Sequence, residues 1–120
     1  MAKTFAFVSG ILLITLAFIE LFFFRGSTAH GLPVFSIPHN LIHWLLGAAG
    51  LLTSWAHERM SILYARLVGV FLVMLAIAGL FFPGVIAASS GIQLNAFYNL
   101  WHLGLGFWGV AAGFRKVQRV

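Results

Sequence analysis

The chain has 120 residues, of which 62% are hydrophobic and only 8% are charged. A soluble domain carries about a quarter charged residues, and the chain has no cysteine, so this composition excludes a soluble enzyme, a disordered chain and a disulfide-stapled secreted module. The net charge of +5 comes from basic residues at the ends of apolar segments rather than in one patch, and we therefore expect no nucleic acid as a partner.

Four apolar stretches follow one another along the chain. In chain order they cover residues 4–24, 37–56, 61–82 and 96–114. Each is long enough to cross a hydrocarbon core of about 30 Å, which takes about 20 helical residues. Their continuous apolar character differs from the short alternating runs of a membrane β-barrel. The sequence therefore predicts an all-α protein, a four-transmembrane-helix bundle in a single integral membrane domain over residues 1–120.

The breaks between these stretches carry residues that end or begin helices. Arg25-Gly26-Ser27 follows the first stretch, the polar turn His57-Glu58-Arg59 follows the second, and Pro83-Gly84 stops the third. Ser36 and Asn95 stand where the N-caps of the second and fourth helices belong.

Basic residues are distributed unequally between the two sides of such a bundle. One side carries Lys3, Arg59, Arg66, Arg115, Lys116 and Arg119. The other side carries only Arg25. By the positive-inside rule, both termini are expected in the cytoplasm and the loops around Gly31 and Gly91 outside.

The two halves of the chain are related by an internal repeat. An offset of 59 residues aligns them without a gap and gives sixteen identical pairs. The strongest block reads Asn-Leu-x-His-x-x-Leu-Gly-x-x-Gly and begins at Asn40 and again at Asn99. Each copy holds two spans, so residues 1–59 and 60–120 form two parallel two-helix repeats about a pseudo-two-fold axis along the membrane normal.

Glycines shared by the two repeats lie on one face of each helix. They are Gly10, Gly47 and Gly50 in the first copy and Gly69, Gly106 and Gly109 in the second. Small residues on one face let membrane helices approach closely, so helix packing is the favoured interpretation. A groove for a flat ligand is the alternative.

These motifs carry a resemblance to a known family. The block Asn-Leu-x-His, then Tyr64-Ala65-Arg66-x-x-Gly69, then Asn-Leu-x-His again resembles the bacterial domain-of-unknown-function family 4383 over most of the chain. The resemblance implies a four-helix membrane protein of the bacterial inner or energy-converting membrane and implies no activity.

Polar residues inside the spans are the candidate functional residues. His43 and His102 stand at equal depth, one turn below Asn40 and Asn99. In one interpretation these histidines bind neighbouring helices and the asparagines satisfy loop backbone. In another, His43 and His102 ligate a haem or chlorophyll between facing helices. Two histidines and one carboxylate carry no metal signature, so we expect no metal site.

Glu20 is the one acidic residue within a span, and its repeat partner is Gly79. We expect it to form a structural ion pair with His43 or to reach Arg25, in preference to a proton-relay role.

The remaining polar and aromatic residues are assigned to the edges of the bundle. His30 and His39 are expected in or near the first outer loop. Aromatic residues near the span ends are expected at headgroup level; they are Trp44, Trp55, Tyr64, Tyr98 and Trp101.

The sequence carries no catalytic signature, since it lacks an acid pair, a Ser/His/Asp set and a phosphate loop. We therefore expect no enzyme, but a structural or accessory subunit of a larger membrane complex or homo-oligomer, in contact with the lipid bilayer and with other subunits or itself. In this interpretation no cofactor is needed. A tetrapyrrole or other pigment held by His43 and His102 is the alternative.

Overall fold

The computed structural model describes residues 1–23, 36–90, 92 and 94–116. The described residues form five helices, α1 (Ala2–Phe23), α2 (Ile37–Trp55), α3 (Glu58–Phe81), α4 (Pro83–Ser90) and α5 (Ala96–Phe114). They contain no strand, so the prediction of an all-α protein is confirmed.

The helix boundaries lie close to the predicted breaks, with two differences. α3 begins at Glu58, with His57 as its N-cap, so most of the predicted polar turn belongs to the first turn of this helix. Pro83 ends α3 as predicted, but it also begins α4, a helix that the apolar pattern of the sequence does not indicate. A proline is accommodated at the first helical position because that N–H has no partner within the helix. Asn95 caps α5, where its Oδ1 accepts a hydrogen bond from the Tyr98 N–H at 3.1 Å.

The two repeats form two antiparallel hairpins, α1 with α2 and α3 with α5, and these pairs make the most extensive helix contacts. The backbones approach closely at glycines. A Cβ on Gly10 would lie 2.9 Å from the Gly47 carbonyl oxygen, and a Cβ on Gly69 would lie 2.5 Å from the Val110 nitrogen. Neither position admits a larger residue without displacing the neighbouring backbone.

The hairpins pack side by side with α1 parallel to α3. The Phe5 ring of α1 lies 6.1 Å from the Tyr64 ring of α3, and it meets Trp108 of α5 edge to face at 5.2 Å. The Tyr64 hydroxyl donates to the Leu46 carbonyl of α2 at 2.9 Å, which ties the second hairpin to the first. The core around Phe5 and Tyr64 is therefore built from all four long helices.

Among the described helices, α1 and α3 are long and apolar enough to cross a membrane. α2 and α5 coincide with the other two predicted spans but contain the polar residues His39, Asn40, His43, Asn99 and His102. These residues lower the mean hydropathy of α2 and α5 below that of α1 and α3.

Candidate functional site

Three buried histidines meet at the end of the bundle where α2 and α5 begin. His39 and His43 of α2 and His102 of α5 are only 1–2% exposed. Their ring centroids lie 4.2 Å apart for His39 and His43, 5.5 Å for His39 and His102, and 6.4 Å for His43 and His102. One ring nitrogen from each histidine lies within 4.8 Å of the others. We call these three residues the histidine cluster.

Helical spacing explains how α2 contributes two members. His39 and His43 are four residues apart, so their side chains project from the same face one turn apart. Pro38 in the first turn of α2 favours helix initiation immediately before them. His102 enters from α5, which begins after the Asn95 cap about two helical turns earlier.

Glu20 of α1 lies beside the cluster and binds three side chains. Its Oε2 is 3.3 Å from His43 Nδ1 and accepts a hydrogen bond from Asn40 Nδ2 at 3.2 Å. Its Oε1 accepts a hydrogen bond from the Tyr98 hydroxyl at 2.5 Å. The carboxylate is 1% exposed, so these contacts replace the water it loses on burial. Glu20 therefore pairs with His43, while the other expected partner, Arg25, lies outside the described residues.

Asn40 joins α2 to α1 among the described residues, while the loop backbone that it was expected to satisfy lies outside them. Its Nδ2 donates to the Ala17 carbonyl at 2.8 Å, and its Oδ1 accepts from Trp44 Nε1 at 3.1 Å. Trp44, which donates this hydrogen bond, is half-buried, and its expected position at headgroup level stays a prediction. The equivalent Asn99 lies against Gly79, where a Cβ would collide with the Asn99 side-chain oxygen.

The cluster contains nitrogen atoms that lack partners within the described residues. Both ring nitrogens of His39, Nε2 of His43 and Nδ1 of His102 are buried without a hydrogen bond there. A buried polar group left in this state costs about 1–3 kcal/mol. When the His43 ring carries a single proton, the hydrogen bond from Nδ1 to Glu20 places that proton on Nδ1 and the lone pair on Nε2. The arrangement thus offers nitrogen lone pairs to a shared space.

That space is a cavity of about 20 Å³. It is bordered by the three histidines and by the apolar side chains of Leu13, Ile42, Leu46, Phe71, Leu72, Leu75 and Ile92. A cavity needs about 10–15 Å³ to hold one water molecule, so this one has room for a water molecule or an ion. Sites for larger ligands are about 300–1,000 Å³, and His43 and His102 leave no such space between them here. Tetrapyrrole ligation by this pair stays a prediction.

Two residues of the site were not predicted to belong to it. His39, expected in or near the first outer loop, is buried in the first turn of α2, and Tyr98, expected at headgroup level, is fully buried. Tyr64, also expected at headgroup level, is 6% exposed and belongs to the core. Two signals in the sequence could have indicated that His39 and Tyr98 belong to the site. His39 is four residues from His43, and His39 and Tyr98 are equivalent positions at the repeat offset. His30 lies outside the described residues.

A family described as a domain of unknown function, DUF4383, matches residues 3–115 of the chain. No curated protein and no solved structure matches it.

Proposed function

This chain belongs to the DUF4383 family, and we propose that it is a small non-catalytic membrane protein whose four long helices all span the bilayer. In this proposal it serves as a structural or accessory subunit, within a larger membrane complex or a homo-oligomer. Its place is the bacterial inner or energy-converting membrane.

The observation that carries the proposal is the apolar surface of the four long helices. Large hydrophobic side chains are exposed on each of them, for example Phe22 of α1, Leu45 of α2, Leu67 of α3 and Leu100 of α5, all more than half exposed. A soluble monomer rarely exposes so extensive an apolar surface. Lipid chains and partner helices are the environment that such a surface requires.

The low hydropathy of α2 and α5 is compatible with spanning because their polar side chains do not face outward. His39, Asn40, His43, Asn99 and His102 are all buried between helices. Each of the two helices has 19 residues, which at 1.5 Å per residue is about 28 Å and close to the hydrocarbon thickness. Intramembrane polar residues usually face the bundle interior in this way.

The non-catalytic part of the proposal is supported by the size and position of the polar site. Glu20 and the histidine cluster are almost fully buried. The cavity between the histidines is about 20 Å³, which does not admit a substrate larger than water.

The orientation rests on charge. Glu58, Arg115 and Lys116 lie together at the end of the bundle opposite the histidine cluster, beside Met1. We place this end, with both termini, in the cytoplasm, because cytoplasmic flanks of membrane helices carry the excess of Lys and Arg.

The test is to extract the tagged chain from its native membrane in a mild detergent. We expect it to resist carbonate washing, to remain with other membrane polypeptides or with copies of itself on gel filtration, and to be colourless. Release by carbonate would contradict membrane spanning, and a lone monomer would contradict the subunit role. A Soret band stoichiometric with the chain would favour the tetrapyrrole alternative instead.

A further inference from the structure

We propose that His39, His43 and His102 bind one divalent first-row transition-metal ion, with Zn²⁺ as the reference ion, inside the bundle. This site goes beyond the structural role proposed above and does not depend on it. The metal would join α2 of the first repeat to α5 of the second.

The donor set selects the class of ion. Three imidazoles are ligands that suit Zn²⁺, Cu²⁺, Ni²⁺ and Fe²⁺, whereas Mg²⁺ and Ca²⁺ require oxygen ligands. Two histidines four residues apart on one helical face, here His39 and His43, form a common helical metal-binding pair. His102 adds a third ligand from another helix, which leaves a fourth position open in a tetrahedral site.

The nitrogen atoms are available for coordination. His43 Nε2, His102 Nδ1 and both nitrogens of His39 have no hydrogen bond within the described part of the chain. All three side chains are at least 98% buried, so bulk water does not compensate for the missing partners. A metal ion would use one lone pair of each ring at once.

Glu20 supplies the outer contact that ligating histidines usually have. Metal-bound histidines almost always donate their second ring N–H to a carboxylate, a carbonyl or water. Glu20 Oε2 lies 3.3 Å from His43 Nδ1, which directs Nε2 of the same ring to the metal. Asn40 and Tyr98 hold the carboxylate in place through its two oxygens. Glu20 is therefore a positioning residue whose negative charge also offsets part of the charge of the ion.

The distances require only local movement. One ring nitrogen of each histidine lies within 4.8 Å of the other two. Tetrahedral bonds of about 2.0–2.1 Å place ligand nitrogens about 3.4 Å apart. Rotation of the rings toward the cavity of about 20 Å³ that they border would bring the nitrogens closer to this spacing.

The experiment uses the full chain, purified in detergent with a tag that lacks histidine and stripped with a chelator. Co²⁺ is added as the spectroscopic probe, followed by Zn²⁺ as the competitor. We expect one Co²⁺ per chain, with the strong visible bands of a tetrahedral site, and full displacement by one equivalent of Zn²⁺. X-ray absorption of the Zn²⁺-loaded wild-type chain should show three imidazole ligands, a readout that needs no variant.

Variants locate the ion. His39→Ala, His43→Ala and His102→Ala should each weaken Zn²⁺ binding at least 100-fold, and Glu20→Gln should weaken it about 10–100-fold. His57→Ala is the matched control, because His57 is exposed at the opposite end of α2, and it should leave binding unchanged. Circular dichroism of each variant separates loss of the site from loss of the fold.

The proposal of a metal site is overturned if the folded wild-type chain binds neither Co²⁺ nor Zn²⁺ stoichiometrically. Binding that persists when all three cluster histidines are replaced, or that disappears in His57→Ala, also overturns it. A membrane subunit role survives each of these results, so failure of the metal site and failure of the proposed function are distinguishable.

Discussion

His39 and Tyr98 occupy equivalent positions of the two repeats, 59 residues apart, and their rings pack edge to face with centroids 4.4 Å apart. Equivalent residues that contact each other lie on the axis relating the two copies. His43 and His102, the equivalent pair one helical turn further along, also lie near each other, with ring centroids 6.4 Å apart. The pseudo-two-fold axis of the bundle therefore passes through the histidine cluster.

One difference between the two repeats lies beside the histidine cluster, close to this axis. Glu20 of the first copy corresponds to Gly79 of the second, so one carboxylate serves both halves. It reaches His43 and Asn40 of its own hairpin and Tyr98 of the other. A symmetric pair of carboxylates would place two negative charges in one buried site. This difference between the repeats thus gives one asymmetric site between two similar hairpins.

Glu20→Gln is expected to destabilise the bundle by about 1–3 kcal/mol, because an amide cannot accept all the hydrogen bonds that the carboxylate accepts and leaves a buried donor unpaired. Glu20→Ala should cost more, about 3 kcal/mol or more, since it leaves His43, Asn40 and Tyr98 without their acceptor and each buried unpaired group costs about 1–3 kcal/mol. Unfolding in detergent micelles, followed by circular dichroism, measures both. Glu58→Gln is the control, because Glu58 is exposed and should shift stability by less than about 0.5 kcal/mol. Equal destabilisation by Glu20→Gln and Glu58→Gln would contradict the structural role assigned to Glu20.

Gly69→Ala is expected to separate α3 from α5. A Cβ there would lie 2.5 Å from the Val110 nitrogen and 2.6 Å from the Gly109 carbonyl carbon, and backbone atoms cannot yield without moving the helix. Overpacking of this kind costs about 1–3 kcal/mol. The matched control is Gly104→Ala on α5, where a Cβ meets nothing within 4 Å and helix propensity favours alanine by up to about 1 kcal/mol. The thermal midpoints of the two variants should therefore move in opposite directions, and a fall for both would argue against glycine-mediated packing.

The positions of the long helices could be predicted because apolar runs and their breaks are local properties of the chain. α5 begins and ends at the predicted residues. The local pattern does not indicate α4. Pro83-Gly84 predicts the end of one helix, but nothing in the pattern shows that Pro83 also begins another. Proline acts in both ways, depending on which side of it the helix lies.

The candidate site could be predicted only in part. The repeat places His43 and His102 at equal depth, and Glu20 near His43. Helical periodicity gives the face of a residue on its own helix, but not the rotation of that helix toward its neighbours. The bond from Tyr98 to Glu20 joins residues 78 positions apart, and no local pattern reports it. For the same reason the burial of His39 depends on α5, which is remote in sequence.

Two buried tyrosines offer a comparison of hydrogen-bond strength inside the bundle. Tyr64 donates to the Leu46 carbonyl at 2.9 Å, whereas Tyr98 donates to the Glu20 carboxylate at 2.5 Å. Hydrogen bonds between membrane helices average about 0.6 kcal/mol, and bonds to charged groups are worth about 1.5–3 kcal/mol. Tyr98→Phe should therefore destabilise the chain more than Tyr64→Phe, measured by unfolding in the same detergent. When both substitutions are made in a chain that also carries Glu20→Gln, the difference between their destabilising effects should shrink. An unchanged difference would show that the effect of Tyr98→Phe does not come from its hydrogen bond to the carboxylate.

The orientation of the bundle can be measured directly because the chain has no cysteine, so a single introduced thiol is the only one labelled. His57 precedes α3, and Ser89 follows it in α4; both are exposed. With a maleimide that cannot cross membranes, we expect Ser89→Cys to be labelled in intact spheroplasts and His57→Cys only after permeabilisation. Lys116→Cys, beyond α5, should behave like His57→Cys, because an even number of spans separates them. Labelling of Ser89→Cys and His57→Cys from the same side would show that α3 does not span, and the reverse pattern would place the basic end outside, against the charge distribution.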